Sequence, residues 1–471
     1  MDPRSHDRAV PATESSTLTA RVEALKEYVE AFPGPDDGGP TFHEAERHVR
    51  GLVAALECAA TAAVLERYEP ESDEFVYEGR TFRRMPGRSG STYAGMPGGL
   101  RVERYLYREV GVRNGPTIVP LELRAGIVEG LLTPLAAQAT AFLTQALPSR
   151  DAKEVTNRLG VLPVSRTTLA RTAEAMGQRW EEHRLDAEDA VMASFEVPEE
   201  AVAVSVSVDR VSVPMAEPRT PRRTRSGKMK RPIDVVYRMA YCGVLTLHGA
   251  EGNALASIRY GRMPEEGASN MLTSSLIGDL VTILATHPDL KLVTLADGAA
   301  EMQNILDDVT DGLDVTAQFV DFWHLVEKLA AAISSTGRDV PAKLAAWKAK
   351  LKEDDKAIEQ IAVELRTWSL DYSELPSALH EAITYVTNNQ GRMRYASAVA
   401  ANLPIGSGHV EATCKTLVSV RMKRSGARWK TSGGQAIMSL RCLATSTRWD
   451  AGMDFLLGTY RSECAANAVA A

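Results

Sequence analysis

Along AVAVSVSVDRVSVPM, residues 201–215, side chains alternate one for one: Val202, Val204, Val206 and Val208 share one face, Ser205, Ser207 and Asp209 the other. A period of two predicts a β-strand. Past Asp209 the apolar parity changes to Val211 and Val213, which predicts a bulge or bend at the acid. VVYRMAYCGVLTLH and ALASIRYGRMP repeat the alternation and read as two further strands, the first reached through a cationic connection at 219–232. NMLTSSLIGDLVTILAT then reads as a helix. KLVTLADG, an apolar run ending in Asp297 and Gly298, reads as a buried parallel strand feeding the helix AAEMQNILDDV. DVTAQFVDFWHLVEKLAAAI predicts a fifth strand that passes into a helix. From 326 to 400 the pattern is helical, and PIGSGHVEATCKTLVSV opens a final helix from a glycine turn.

Ahead of this region the periodicity is mostly helical. Residues 19–69 form two helical runs separated by PGPDDGGP. FVYEGRTFRRM and LRVERYLYREVGV alternate as strands around RSGSTYAGMPGG, predicting one small hairpin, and LRAGIVEGLLTPLAAQATAFLTQAL returns to helix. In 148–180 a helix from Ser149, with Ala152, Val155 and Leu159 inward, stops at Gly160. Ser165 then caps a second helix with Leu169, Ala173 and Met176 inward. Helix, glycine turn and capped helix read as a helix-turn-helix, although a plain helical hairpin carries the same pattern. Its second helix would offer Arg166, Thr167, Thr168 and Arg171 to a DNA groove.

These changes of period divide the chain into a helical region to residue 70, a β-hairpin and helix at 71–140 and a helix-turn-helix region at 141–195. A catalytic domain follows in two parts, 196–325 and 401–450, around a helical insertion at 326–400, with a tail at 451–471.

Composition changes the picture in three ways. With 471 residues, 44% of them hydrophobic, the chain can fill more than one core. Five cysteines (Cys58, Cys242, Cys414, Cys442, Cys464) lie far apart with no CxxC pair, which suggests a reducing compartment and neither a disulfide framework nor a cysteine-ligated zinc. The polar N-terminus and the lack of a long unbroken apolar run predict a soluble, cytoplasmic protein without a membrane partner. The net charge of −7 argues against a polyanion partner until it is seen to hide two basic runs, RTPRRTRSGKMKRP at 219–232 and KTLVSVRMKRSGARWK at 415–430.

Three antiparallel strands, a helix, a parallel strand, a helix, a fifth strand and a late helix is the element order of an RNase H-like domain. Three acids occupy the places that such a fold uses: Asp209 in the first strand, Asp297 after the fourth and Glu411 at the start of the late helix. Phosphoryl chemistry with two hard cations needs oxygen ligands converging from separate elements, which these acids supply. Each has a plain alternative: a strand-end acid, an Asp-Gly turn, and a first-turn dipole acid paired with Lys415. His324, ending FVDFWH, reads either as a group acting on water or the scissile phosphate or as a histidine packed beside Trp323. Trp347 and Trp368 read as core residues or as base-stacking platforms.

The blocks VSVDRVSVPM, VTLADGAAEM, FVDFWHLVEKL, ITYVTNNQGRMRY, PIGSGHVEATCKTLVSVRMKRSGARW and IMSLR resemble the DDE transposases of bacterial insertion sequences, specifically the ISKra type, over about 140–445. The resemblance implies an α/β RNase H-like catalytic domain with an all-helical insertion, preceded by a mainly helical DNA-binding region. It implies Asp209, Asp297 and Glu411 as catalytic and metal-binding acids, with His324 beside them and two Mg2+ ions that Mn2+ can replace. Its substrate would be double-stranded DNA, the inverted repeats at transposon ends and a target. The protein would work as a homodimer or higher oligomer in the bacterial nucleoid. DNA contacts are then expected from Arg166, Thr167 and Arg171, from Arg222, Arg223, Arg225, Lys228 and Lys230, and from Lys415, Arg421, Lys423, Arg424, Arg428, Trp429 and Lys430. Two departures stand out: the N-terminal ribbon carries no cysteine pair, so no structural zinc is expected, and Arg210 follows the first acid where glycine is common. An RNase H-like nuclease such as a resolvase or guide-dependent enzyme, or a non-catalytic DNA-binding regulator, is the competing expectation.

Overall fold

The computed structural model describes residues 18–33, 38–220, 222–223, 225–227, 229–230, 233–462 and 465–466. The chain is mixed α/β and divides into two compact units, one running to Trp180 and including the stretch from Met453 onward, the other spanning Glu181–Gly452.

The first unit opens with helices Leu18–Glu30 and Phe42–Glu66. The second of these starts in a capping box, Thr41 Oγ accepting the Glu44 N–H while the Glu44 carboxylate accepts the Thr41 N–H. Two hairpins follow where one was expected. Strands Glu74–Tyr77 and Arg80–Arg84 turn at Glu78 and Gly79, both at positive φ, as a two-residue hairpin requires. Ser89–Ala94 pairs with Gly99–Arg104, so the small-residue run expected as a loop is itself a strand. Its alternation is faint because Ser and Gly line most of it, and burial of Tyr93 and Ala94 fixes the pairing. Residues 465–466, in the segment read as a tail, pair with Glu74–Tyr77.

Helices Ser149–Leu159 and Arg166–Glu182 flank a turn at Gly160, which lies in the left-handed region at φ 65°. Ser165 Oγ accepts the Thr168 N–H at 3.1 Å and caps the second helix. Leu169, Ala173 and Met176 face inward, whereas in the first helix Thr156 is buried and Leu159 is 53% exposed. The chain reverses directly after Leu159, and Leu162 enters the core in its place.

In the second unit, α1 (Arg184–Ala193) precedes three long strands: β1 (Ala201–Pro218), β2 (Ile233–Gly249) and β3 (Ala254–Arg262). Then come α2 (Ala268–Thr286), β4 (Lys291–Ala296), α3 (Ala300–Val309) and β5 (Val315–Val320). The strands order as β3-β2-β1-β4-β5, with β2 antiparallel to β1 and β3, and β4 parallel to both β1 and β5. One sheet face carries Val204, Val206 and Val208 against Leu272, Leu276 and Leu280 of α2 and Met302 and Leu306 of α3. Leucine-rich α2, like Phe42–Glu66, is long and apolar enough to cross a membrane by composition, but here it supplies this core.

No bulge interrupts β1 at Asp209. Its register with β2 is continuous from Pro218↔Ile233 to Ala203↔His248. Parity changes for another reason: the helices cover different faces of different stretches. Beyond Asp209 the covered side chains are Val213 and Met215, which meet Val410, Cys414, Leu417 and Met422 of a late helix on the opposite face. Behind Asp209, Ser205 and Ser207 are buried as well, so the early part of β1 is covered on both sides.

After β5 come α4 (Phe322–Ser335), α5 (Val340–Glu353), α6 (Ala357–Ser369), α7 (Ser377–Asn389) and α8 (Tyr395–Ala400). They share one core, in which Trp347 and Trp368 stack with ring centres 5.2 Å apart. Trp347 Nε1 donates to Glu364, and the two rings are 2% and 7% exposed, which makes them packing residues of this layer. The late helix α9 (Gly408–Cys414) widens into a π-turn at Lys415–Ser419, continues over Val420–Met422, and is followed by α10 (Thr431–Thr445).

Candidate active site

Asp209 sits two residues past Ser207, the last β1 residue paired with β4, and directly opposite Cys242 of β2. Its Oδ1 accepts the Arg210 N–H at 2.6 Å, and its Oδ2 lies 3.6 Å from the Cys414 thiol. Burial pushes the carboxyl up and the negative charge of Asp297 pushes it further, while His324 pulls the other way. Arg210 does not neutralise it, because its guanidinium is paired with Glu301, which also accepts the Tyr241 hydroxyl.

Asp297 follows β4 directly, at the sheet edge adjoining Asp209. Its Oδ1 accepts the Ala299 N–H at 2.9 Å, shaping the turn into α3. Gly298 is needed here: its φ is +87°, and a Cβ would stand 3.0 Å from the Tyr385 ring. Tyr385 of α7 in turn donates its hydroxyl to the Asp297 carbonyl at 2.7 Å. The inserted helices therefore hold the backbone of this acid.

Glu411 lies exposed in the first turn of α9, and Cys414, one turn further on, is the residue that reaches Asp209. The start of α9 is tied down by Asp321, which the sequence reading passed over. Asp321 is 2% exposed, accepts the Ser407 N–H, and caps α4 by accepting the His324 N–H at 2.7 Å. Burial pushes its carboxyl up, but the hydrogen bonds from His324 and Ser407 outweigh this and hold it at about 2. His324 Nδ1 stands 3.3 Å from the same carboxylate, and that bond raises the imidazole above its usual range. The three-residue spacing of Asp321 and His324 at a strand end was the available signal, an N-cap pattern.

The structure thus brings Asp209, Asp297 and His324 into electrostatic contact and places Glu411 one helical turn from the Asp209 contact. Among the described residues, no three His, Cys, Asp or Glu side chains cluster closely enough to hold a metal ion, so Glu411 does not close a set with the two aspartates in this conformation.

The basic residues fall into two kinds. Lys415, Lys423, Arg424, Arg428 and Lys430 are exposed, as are Arg166 and Arg171 in the first unit, with Thr167 half-buried. Arg421 is turned inward, 7% exposed, its guanidinium 5.1 Å over the ring of Trp429, whose Nε1 donates to the Met422 carbonyl. Arg421 and the half-buried Trp429 brace the end of the late helix, so of the two expected DNA contacts Arg421 is turned away from solvent. In the connection between β1 and β2, residues 222–223 pair with 229–230, Arg223 and Arg225 are exposed, and Lys228 lies outside the described residues. Arg441 was missed except as part of a motif: its guanidinium donates to the Thr416 and Leu417 carbonyls within the π-turn, and burial lowers it to about 10.

Comparison with known proteins gives no match to a protein-family model, to a curated protein or to a solved structure.

Proposed function

We propose that this chain is a DDE-type DNA transposase with an RNase H-like catalytic domain, cutting the ends of an insertion sequence and joining them to target DNA. The observation that carries this reading is the meeting of Asp209 and Asp297, from neighbouring parallel strands, at one sheet edge onto which the late helix bearing Glu411 is docked. Strand order β3-β2-β1-β4-β5 supports it.

By their chemistry the two aspartates suit divalent cations, although Glu411 stands apart from them in this conformation. Asp209 and Asp297 are half-buried hard-oxygen groups, the charge of Asp297 raises the Asp209 carboxyl, and the nearest arginine in sequence is committed to Glu301. Asp209, Asp297 and Glu411 would hold Mg2+ or Mn2+, which when bound stabilise the attacking and leaving oxygens of an in-line displacement. His324, whose imidazole the Asp321 carboxylate favours in its charged form, stands beside the aspartates, where a scissile phosphate would lie. Exposed cations between 415 and 430 and in the β1–β2 connection would neutralise flanking phosphates without reading bases.

The test uses DNA carrying the terminal repeats. Asp209→Asn, Asp297→Asn and Glu411→Gln should each abolish Mg2+-dependent end cleavage while band shifts on the same DNA persist. Undiminished cutting by all three overturns the assignment. Cut ends that never appear joined to target identify an RNase H-like nuclease without strand transfer.

A further inference from the structure

The long strands β1 and β2 outrun the rest of the sheet. β4 pairs with β1 only up to Ser207, and β3 pairs with β2 only from Tyr241, so residues 210–218 and 233–241 form a two-stranded arm. Along its outer edge, residues 233–240 of β2 have no strand partner among the described residues. An open edge of this length is a template for pairing with another chain. On one face its side chains are not those that discourage such pairing: Val235 and Tyr237 are 49% and 65% exposed, and Ile233 and Met239 flank them. The opposite face carries Asp234 and Arg238, placed symmetrically about Val236.

We infer that this edge is where two copies of the chain join, β2 against β2, antiparallel about a twofold axis at Val236. A twofold axis demands a self-complementary surface, and this register supplies one. It sets Asp234 of one copy opposite Arg238 of the other, Val235 opposite Tyr237 and Ile233 opposite Met239, twice over. Opposite charges and apolar-aromatic pairs at directly facing positions are the favourable combinations across antiparallel strands. A shift by one residue about Val235 would put Asp234 opposite Val236 and lose the charge match. Existing pairs within the arm, Arg219 with Asp234 and Arg238 with Glu217, extend the alternating charges into a row that crosses the junction. The basic tip lies beyond it, so pairing would leave two cationic tips directed apart, free for DNA.

The inference goes beyond the catalytic reading and does not depend on it, since its test needs neither DNA nor metal. The full chain should sediment at twice its mass of 51.1 kDa. Val235→Lys combined with Tyr237→Lys places lysines opposite each other at both facing pairs and should halve that mass, with the circular dichroism unchanged because both side chains are exposed. Val235→Lys combined with Tyr237→Glu replaces each apolar pair by a salt bridge and should restore the dimer. A full chain that is monomeric without DNA, a dimer that survives the double lysine variant, or a Lys/Glu variant that stays monomeric each overturns the proposal, the first pointing to DNA as the occupant of the arm.

Discussion

Two basic runs of similar composition, 219–232 and 415–430, reach different ends in the fold. In the connection between β1 and β2, Arg223 and Arg225 project into solvent at the end of an arm, and Arg219 meets Asp234 only at the surface. In the late helix the run is divided: Arg421 is buried over Trp429, while Lys423, Arg424, Arg428 and Lys430 remain outside. The difference comes from what covers each segment. Trp429 forms a bridge with Met215 of β1 and exchanges backbone hydrogen bonds with Pro214 and Ala216, folding the end of the run back onto the sheet and drawing Arg421 under it. Among the described residues nothing comparable returns over the arm's tip. A cluster of cations is therefore a statement about charge, and only the neighbouring chain decides which members can reach a polyanion.

The comparison can be broken at several strengths. Arg441→Met should have the largest effect, because it removes the guanidinium from the Leu417 and half-buried Thr416 carbonyls. A loss of about 3 kcal/mol is expected, read as a lower urea midpoint at constant slope. A midpoint within error of the parent would show that the π-turn does not need its arginine.

Asp321→Asn comes next. The carboxyl's folded-state pKa of about 2 lies below its ordinary 3.8, so the stabilisation is fully present above about pH 4 and fades as pH falls toward 2. The variant should lose about 2 kcal/mol at neutral pH and show a flatter acid limb between pH 4 and 2. Parallel acid limbs for parent and variant would count against the role given to Asp321.

The smallest effects on stability belong to the exposed cations. Arg223→Ala with Arg225→Ala, or Lys423→Ala with Arg428→Ala, should leave the urea midpoint within about 0.5 kcal/mol of the parent. Each pair should lower the slope of log affinity for DNA against log salt by about 2. An unchanged slope for one pair would remove that region from the DNA-facing surface and decide which of the two runs carries the contacts.

Much of the second unit was legible in its periodicity, since alternation in β1 and β2 and the apolar run of β4 are local signals. The positions of Asp209 within the first strand, Asp297 after the fourth and Glu411 at the start of the late helix followed from the same reading. What escaped it depends on contacts between distant residues. Asp321 matters because Ser407 returns to it 86 residues later, and Arg441 because a π-turn 24 residues earlier needs donors. The parity change after Asp209 looked like a bend because the sequence does not say which helix will cover which face. The second hairpin of the first unit was hidden by a run of Ser and Gly with almost no alternation to read.

The hydroxyl of Tyr385 on the Asp297 carbonyl has a consequence for the order of events during synthesis. Asp209 and Asp297 leave the ribosome early, but the residue that holds the Asp297 turn is 88 positions further on and Glu411 later still. Domains assemble as the chain emerges, so a nascent chain carrying both aspartates still lacks the support of the inserted helices and the last acid. On the proposed function, a cutting centre would be assembled only after the inserted helices and Glu411 have emerged, so that shorter nascent chains carrying both aspartates would not yet cut DNA.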